Sequence, residues 1–298
     1  MITIKIFART FTLMIIFFMM ESFGVSRINY EDARLKNVCK DLSKDALVYF
    51  IFVDNKETSP WTEFDIQSTL DSIRIAINWI ERKAKGSNVI LNIKYDYYIG
   101  EQYSTINKKL PQKSVGESAT TPNLEEGLSS LNSWADKLCK FAGTNVAIDT
   151  KDGIPDIEQP KNKERLAAYL RDKYAVESVA LVFMVNNYFK DDISIAVNTM
   201  NTKDIEFAIV SYKYPADIAH NILHLYGACD LFETPFRKDK KKINELQSLF
   251  PYDIMGETSG RSIERYEIGE ITKYLIGWND RVKEEYTPFL KDKLTLAR

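Results

Sequence analysis

The order of strands and helices near the start of the chain most constrains its fold. Ala46 to Val53 is continuously apolar and rich in β-branched and aromatic residues, as is typical of a strand buried on both faces. Trp61 to Gly86 repeats apolar residues at helical spacing, and its glycine is expected to end the helix. Asn88 to Tyr98 predicts a second strand. A strand, a helix and a strand indicate a right-handed crossover between two parallel strands.

The rest of the chain predicts more strands followed by helices. A polar segment (101–123) is expected to be a loop, and the short strand Ile193 to Met200, which lies between turn-forming segments, is expected at a sheet edge. The other predicted elements are helices at Leu124 to Phe141 and Lys163 to Tyr174, strands at Ser178 to Asn186 and Glu206 to Tyr212, a helix around Ala219, and helices at Lys241 to Leu249 and about Ser262 to Trp278. The fold class is therefore α+β or α/β, with a mixed twisted sheet.

The first 24 residues differ in composition from the rest of the chain. Lys5 and Arg9 precede a run of about ten apolar residues, Phe11 to Met20, and small residues follow up to Gly24. This pattern is typical of a secretory signal peptide (1–24), so we expect export by secretion or to the periplasm or cell envelope. A transmembrane helix needs about 20 apolar residues, so no stable membrane span is expected after signal removal. A retained anchoring segment is the alternative.

Hydrophobic content, net charge and cysteine content exclude several classes of protein. The 45% of hydrophobic residues excludes a disordered chain, and a net charge of -2 produces no field that would attract nucleic acid. Three cysteines do not make a disulfide framework. Cys39 and Cys139 could pair in an exported protein, but free buried thiols are favoured because each cysteine has apolar neighbours.

Both histidines of the chain lie in the segment AHNILHLYGACD, from Ala219 to Asp230. His220 and His224 are four residues apart, so on a helix they share one face and can direct both imidazoles at one point. Gly227 can adopt a left-handed conformation that ends the helix and lets the chain bring Asp230 toward the same point. Two imidazoles and a carboxylate would make a three-ligand zinc site that leaves one position for water or substrate.

This segment resembles the zinc-binding signature of the metzincin metallopeptidases, His-Glu-x-x-His-x-x-Gly-x-x-His/Asp, in its aspartate version. Members of that family carry a methionine turn beneath the metal, and Met255 in YDIMGE lies at a fitting place for it. The resemblance implies a mixed twisted sheet with crossing helices, an active-site helix, the methionine turn and a C-terminal helix, all within residues 25–298. Residues 98–176, between the second and third strands, would then be an insertion. Met255 would support the site without taking part in chemistry.

Asn221 occupies the position at which the family has its catalytic glutamate. In the family that glutamate takes a proton from zinc-bound water, whereas an amide has no basic lone pair at neutral pH. Loss of a general base typically costs about 10²–10⁴-fold in rate. The resemblance therefore implies an exported zinc metallopeptidase-like protein, acting on or binding a peptide or protein, whose hydrolysis is impaired or absent. Glu257 could act as a substitute base or a further ligand, and Asp217 is better explained as an acid near the helix N-terminus.

Other interpretations of these motifs remain. The histidine pair could simply pack in the core of an extracellular structural or adhesion protein, and a non-catalytic relative of the peptidases could bind an extended peptide along the edge strand. The acidic segment Asp149 to Glu158 resembles a calcium-binding loop, which makes calcium a second candidate cofactor. An ordinary Asp-Gly turn is favoured there, because Lys151 stands where another acid is expected and the spacing is one residue short.

Overall fold

A computed structural model describes most of the chain after the predicted signal peptide. The described residues are 27–31, 39, 41–55, 58–100, 105–111, 124–143, 160–186, 193–198, 204–211, 214–234, 236–258 and 260–293. The predicted signal peptide (1–24) and the candidate calcium loop Asp149 to Glu158 lie outside these residues. Within the described part of the chain, no helix has both the length and the apolar character needed to cross a bilayer.

The described part of the chain contains both strands and helices. In chain order the elements are β1 (Arg27–Asn29), β2 (Lys44–Asp54), α1 (Glu63–Gly86), β3 (Leu91–Tyr98), β4 (Ile106–Asn107), α2 (Leu124–Ala142), α3 (Asn162–Tyr174), β5 (Ser178–Val185), β6 (Ser194–Val197), β7 (Phe207–Val210), α4 (Pro215–Leu225), α5 (Lys240–Leu249), a 3₁₀-helix (Ile263–Arg265), α6 (Glu270–Leu275), a second 3₁₀-helix (Glu284–Leu290) and β8 (Lys291–Lys293).

A six-stranded, mostly parallel sheet forms the centre of the fold, with β3, β2, β5, β7 and β6 in that order and β4 paired with the end of β2. β2 runs parallel to β3, β4 and β5, and β7 runs parallel to β5. β6 is antiparallel to β7 and ends the sheet, as predicted for the edge strand. Every residue of β5 is buried, which explains its uninterrupted apolar sequence. The mixed α/β class is confirmed.

Helices cover both faces of the sheet, because successive side chains of β2 point to opposite sides. Phe50 joins a core with α1 and α4 on one face, and Ile51 joins a second core with α2 and α3 on the other. Cys39 lies in the first core and Cys139 in the second, and all three cysteines are free. The sheet therefore separates the two thiols whose pairing the sequence left open. Residues 98–176 contribute β4, α2 and α3; whether they are an insertion into a metzincin fold stays a prediction.

The predicted last helix, Ser262 to Trp278, is wrong as a single element. A short 3₁₀-helix and α6 occupy its two ends, and an extended segment separates them. There the Glu267 N–H donates to the Tyr252 carbonyl at 2.7 Å, and the Glu267 carbonyl accepts from the Ile254 N–H at 2.9 Å. The backbone of this segment is thus used to bind the turn that carries Met255, so it cannot form helical hydrogen bonds. The sequence also did not predict that β1 pairs with β8 in a separate two-stranded sheet.

Candidate metal centre

Helix α4 carries the histidine pair and is buried along almost its whole length. Pro215 occupies its first turn, and every residue from Ala216 to Leu225 is buried. The helix ends as predicted, because Gly227 has a φ of 101° that reverses the chain direction. The Gly227 N–H donates to the His224 carbonyl at 3.1 Å, which closes the final turn. The chain then carries Asp230 back toward the helix.

The three predicted ligands converge on one point. His220 Nε2 lies 3.0 Å from His224 Nε2, and Asp230 Oδ1 lies 3.2 Å from the first and 3.0 Å from the second of these nitrogens. The histidines are buried, whereas the Asp230 side chain keeps 24% of its surface exposed. The group therefore has one side that a small molecule can reach.

Backbone carbonyls determine which nitrogen of each imidazole faces the group. His220 Nδ1 lies 2.8 Å from the Ile254 carbonyl, and His224 Nδ1 lies 2.9 Å from the Ala228 carbonyl. A carbonyl oxygen can only accept a hydrogen bond, so each Nδ1 carries the proton. In the neutral rings both Nε2 atoms then present lone pairs to each other and to Asp230 Oδ1. Three acceptors this close together require a cation, either a proton or a metal ion.

These residues fit a tetrahedral metal ion. Zinc binds imidazole nitrogen at about 2.0–2.1 Å and carboxylate oxygen at about 2.0–2.2 Å, which places tetrahedral ligand atoms about 3.3 Å apart. The observed separations are 3.0 to 3.2 Å. Calcium prefers six to eight oxygen ligands, so two imidazoles make this group unsuited to it. The described residues thus contain one group of histidine, cysteine or acidic side chains that can hold a metal ion: His220, His224 and Asp230.

Electrostatic coupling keeps the carboxylate of this group charged. Burial by itself raises the pKa of Asp230, but the neighbouring charge of His224 and hydrogen bonds from both imidazoles lower this pKa well below its usual range. Burial by itself lowers the pKa of His220, yet Asp230 raises it above its ordinary value. Without a metal, the group therefore contains an anionic carboxylate and, in His220, an imidazole whose pKa is raised. An anionic carboxylate is also the form that binds a metal.

The side-chain amide nitrogen of Asn221 donates two hydrogen bonds. The residue is 1% exposed, and Nδ2 donates to Ser194 Oγ on β6 and to the Asp217 carbonyl one turn earlier, both at 2.8 Å. Asp217 lies in the first turn of α4, as predicted, and its carboxylate accepts a hydrogen bond from Thr258. Glu257 is exposed and does not belong to the group of ligand atoms, so the structure does not place it with the three ligands.

The side chains of His220, His224 and Asp230 are called the metal group below. The turn that carries Met255 contacts His220 and the residue after Asp230 through its backbone. The Ile254 carbonyl accepts from His220, and the Met255 carbonyl accepts from the Leu231 N–H, next to Asp230, at 2.9 Å. The Met255 side chain is fully buried in the core shared with α1 and α4. Whether this turn is the methionine turn of a metzincin stays a prediction.

Two buried polar residues that position the site were missed by the sequence analysis. Asp253 accepts from the Met255 and Gly269 N–H groups, both at 2.9 Å, and from the Thr272 hydroxyl at 2.8 Å. Asn198, which follows β6, donates to the His224 carbonyl at 3.2 Å. Asp253 precedes Met255 by two residues and could have been suspected as a turn residue. No local pattern distinguishes Asn198, since its partner lies in another element.

Comparisons with protein-family models and with curated proteins found no relative of this chain. None of the known protein-family models matches the sequence, and no curated protein matches it significantly. The assignment of a function therefore rests on the motif and on the geometry of the metal group.

Proposed function

We propose that this chain is an exported, zinc-binding protein of the metzincin metallopeptidase fold, with impaired or absent peptide hydrolysis. The observation that carries the proposal is the convergence of two Nε2 lone pairs and the Asp230 carboxylate within 3.2 Å, with both Nδ1 atoms held by carbonyls. Structural pairs of core histidines have no need for three mutually facing acceptors. Carbonyl-oriented imidazoles are, in contrast, the usual arrangement of zinc ligands.

The surroundings of the metal group support the same proposal. The buried turn at Met255 contacts the backbone next to Asp230 and the ring of His220, where a methionine turn is expected. The mostly parallel sheet ends in the antiparallel strand β6, which lies beside α4. These features agree with the architecture that the sequence motif implies.

The residues around the group explain why hydrolysis would be weak. A bound zinc ion would polarise a carbonyl and lower the pKa of a bound water, but attack on a peptide also requires a proton acceptor. Asn221 cannot accept that proton, and its amide nitrogen is already bonded to Ser194 and to the backbone. Among the described acidic residues, Asp230 alone joins the histidine pair, and in the proposed site its charge would bind the metal.

A second candidate function is the binding of an extended peptide without cleavage. It is favoured by the hydrogen bonds that hold β6 against α4. Asn221 donates to Ser194 at the start of β6, and Asn198, just beyond the end of β6, donates to the His224 carbonyl. A short edge strand fixed at both ends beside a metal group offers a rigid site for strand addition. In this candidate the peptide or partner protein would be held between β6 and the metal.

The decisive experiment combines metal analysis with a cleavage assay. Purified protein comprising residues 25–298 is expected to bind about one equivalent of zinc and to cleave unfolded protein substrates little or not at all. Asn221→Glu is expected to gain chelator-sensitive cleavage of about 10²-fold or more, because it restores a general base. Asn221→Gln is the matched control, since it has the same length without a basic group.

The possible results separate the parts of the proposal. Strong chelator-sensitive cleavage by the wild-type protein would show that catalysis is intact. Absence of zinc uptake would contradict the metal site itself. Equal activity of Asn221→Glu and Asn221→Gln would show that a missing base does not limit hydrolysis, and the peptide-binding function would then be preferred.

The export part of the proposal has its own test. The basic start and apolar run of residues 1–24 support cleavage near Gly24. Expression of the whole chain in a secreting host is expected to yield exported protein whose amino terminus begins close to Val25. Recovery of the uncleaved chain inside the cell would contradict export.

A further inference from the structure

An aromatic ring from outside helix α4 contacts the metal group. The ring centroid of Phe232 lies 6.3 Å from that of His220, with 33° between the two ring planes, so the two rings are stacked at a tilt. Phe232 follows Asp230 by two residues, beyond the chain reversal at Gly227. One short segment therefore supplies both a candidate metal ligand and an aromatic neighbour of a second candidate ligand.

Phe232 lies on the solvent side of the His220 ring. The His220 side chain keeps 8% of its surface exposed, whereas Phe232 is only partly buried. Of two rings in contact, the one that keeps more exposed surface lies nearer the solvent. The Asp230 side chain is also 24% exposed, so a dissolved molecule can reach both residues of this segment.

The opposite side of the histidine pair is filled by the protein. Every residue of α4 from Ala216 to Leu225 is buried, and so is the turn at Met255, whose preceding carbonyl accepts from the His220 ring. A tetrahedral ion held by three protein atoms leaves one position for a further ligand. Such a ligand would approach from the side on which Asp230 and Phe232 are exposed.

We propose that Phe232 forms an apolar wall of the ligand site at the metal group, and so favours ligands that carry an aromatic ring next to their metal-binding atoms. This inference rests on the zinc site of the proposed function and adds a class of ligand to it. A phenyl ring has no donor or acceptor, so it can offer a ligand only apolar and ring-stacking contact. Among peptides, the favoured class carries an aromatic side chain on the residue whose carbonyl meets the metal.

The test uses two chelators that differ in one ring. Acetohydroxamate and benzohydroxamate bind a metal through the same two oxygen atoms, but the second carries a phenyl group where the first has a methyl group. Dissociation constants for both are measured on protein loaded with cobalt(II), from the change in its visible absorption. The ratio of the two constants is compared between the wild-type protein, Phe232→Ala and the polar variant Phe232→Gln. Phe236→Ala is the matched control, because it removes the same partly buried ring from the same segment, four residues further along.

The expected result is a loss of preference for the aromatic chelator that is specific to Phe232. Relative to wild type, the ratio should shift by about three- to tenfold against benzohydroxamate in both Phe232 variants, as for the loss of one contact between aromatic rings, and should stay unchanged in Phe236→Ala.

The contrary results separate this inference from the zinc site. An unchanged ratio in a cobalt-loaded Phe232 variant would overturn the inference and leave the zinc site standing. An equal shift in Phe236→Ala would also overturn it, since the apolar content of the segment would then be the cause. Failure of both Phe232 variants to take up cobalt would mean that the ring supports His220 and does not select the ligand. Failure of the wild-type protein to bind cobalt or zinc would overturn the proposed function as well.

Discussion

Proton positions on single residues decide what the metal group can bind. His220 and His224 each donate from Nδ1 to a backbone carbonyl, so their Nε2 lone pairs face Asp230 instead of packing as donors in the core. The i, i+4 spacing alone allows this arrangement but does not require it, since either ring nitrogen could have faced the group. The tautomer of His220 depends on the carbonyl of Ile254, 34 residues away, and that of His224 depends on the carbonyl of Ala228 just beyond α4.

Zinc should therefore stabilise the folded protein through these residues. At free zinc about 100 times above the dissociation constant, binding contributes about 2.7 kcal/mol, or about 5–10 °C in the unfolding midpoint of a domain of this size. His224→Ala should abolish this thermal shift in scanning calorimetry. Asn198→Ala is the control, because it loses the bond to the His224 carbonyl and keeps all three ligands. A zinc-induced shift that survives in His224→Ala would argue against the site.

At the scale of elements, a single turn joins the metal group to the C-terminal part of the fold. The turn at Met255 bonds to His220 and to the segment after Asp230, and it is itself held by Glu267 and by the carboxylate of Asp253. Asp253 connects the turn to the start of α6 through Gly269 and Thr272. Burial raises the pKa of Asp253, although these hydrogen bonds act in the opposite direction.

Removal of the Asp253 carboxylate should affect stability and metal binding together. Asp253→Ala leaves two buried donors and one partly buried donor without an acceptor and is expected to lower the free energy of unfolding by about 3 kcal/mol. Loss of this outer support should also weaken zinc binding by about 10–100-fold. Urea unfolding of the metal-free protein and zinc titration measure the two effects. Asp253→Asn retains one acceptor oxygen, so its stability and its zinc affinity should lie between those of the wild type and Asp253→Ala. An unchanged urea midpoint in Asp253→Ala would show that Asp253 does not support the turn.

At the scale of the whole molecule, the two ends of the described chain meet beside a buried ion pair between Arg237 and Asp292. β1 pairs with β8, and the Tyr30 hydroxyl donates to Asp292 Oδ2 at 3.0 Å. Arg237 lies 3.1 Å from the same carboxylate oxygen, stacks over the Tyr30 ring and donates to the Phe289 carbonyl. The side chains of the pair are 1% and 5% exposed, so neither charge can be solvated if its partner is removed.

Asp292→Ala is therefore expected to be strongly destabilising. It leaves Arg237 buried without its counter-charge, which should cost about 3–5 kcal/mol in the free energy of unfolding. The exposed pair between Lys44 and Glu177, at 2.9 Å with side chains 67% and 63% exposed, provides the comparison. Glu177→Ala should cost no more than about 1 kcal/mol. Denaturant unfolding of both variants measures the difference, and similar small effects would mean that the buried pair of Arg237 and Asp292 adds little to stability.

Local patterns in the sequence were sufficient to predict most elements and the three side chains that could hold a metal ion. The buried strands β2 and β5, the helix α1 and the chain reversal at Gly227 follow from properties of neighbouring residues: apolar runs, helical periodicity and tolerance of a positive φ. The histidine spacing likewise places two ligands on one face of a helix, because helix geometry relates residues only four positions apart.

Only the tertiary structure decided the features that depend on distant residues. The predicted last helix is interrupted because Glu267 bonds to the turn at Ile254, and β1 finds its partner at the opposite end of the chain. The surroundings of Asn221 and Asp253 also depend on distant residues, since Ser194 and Gly269 belong to other parts of the fold. A sequence pattern records what one segment can form by itself. Which of its polar groups are already satisfied, and which remain for a ligand, depends on the segments that fold against it.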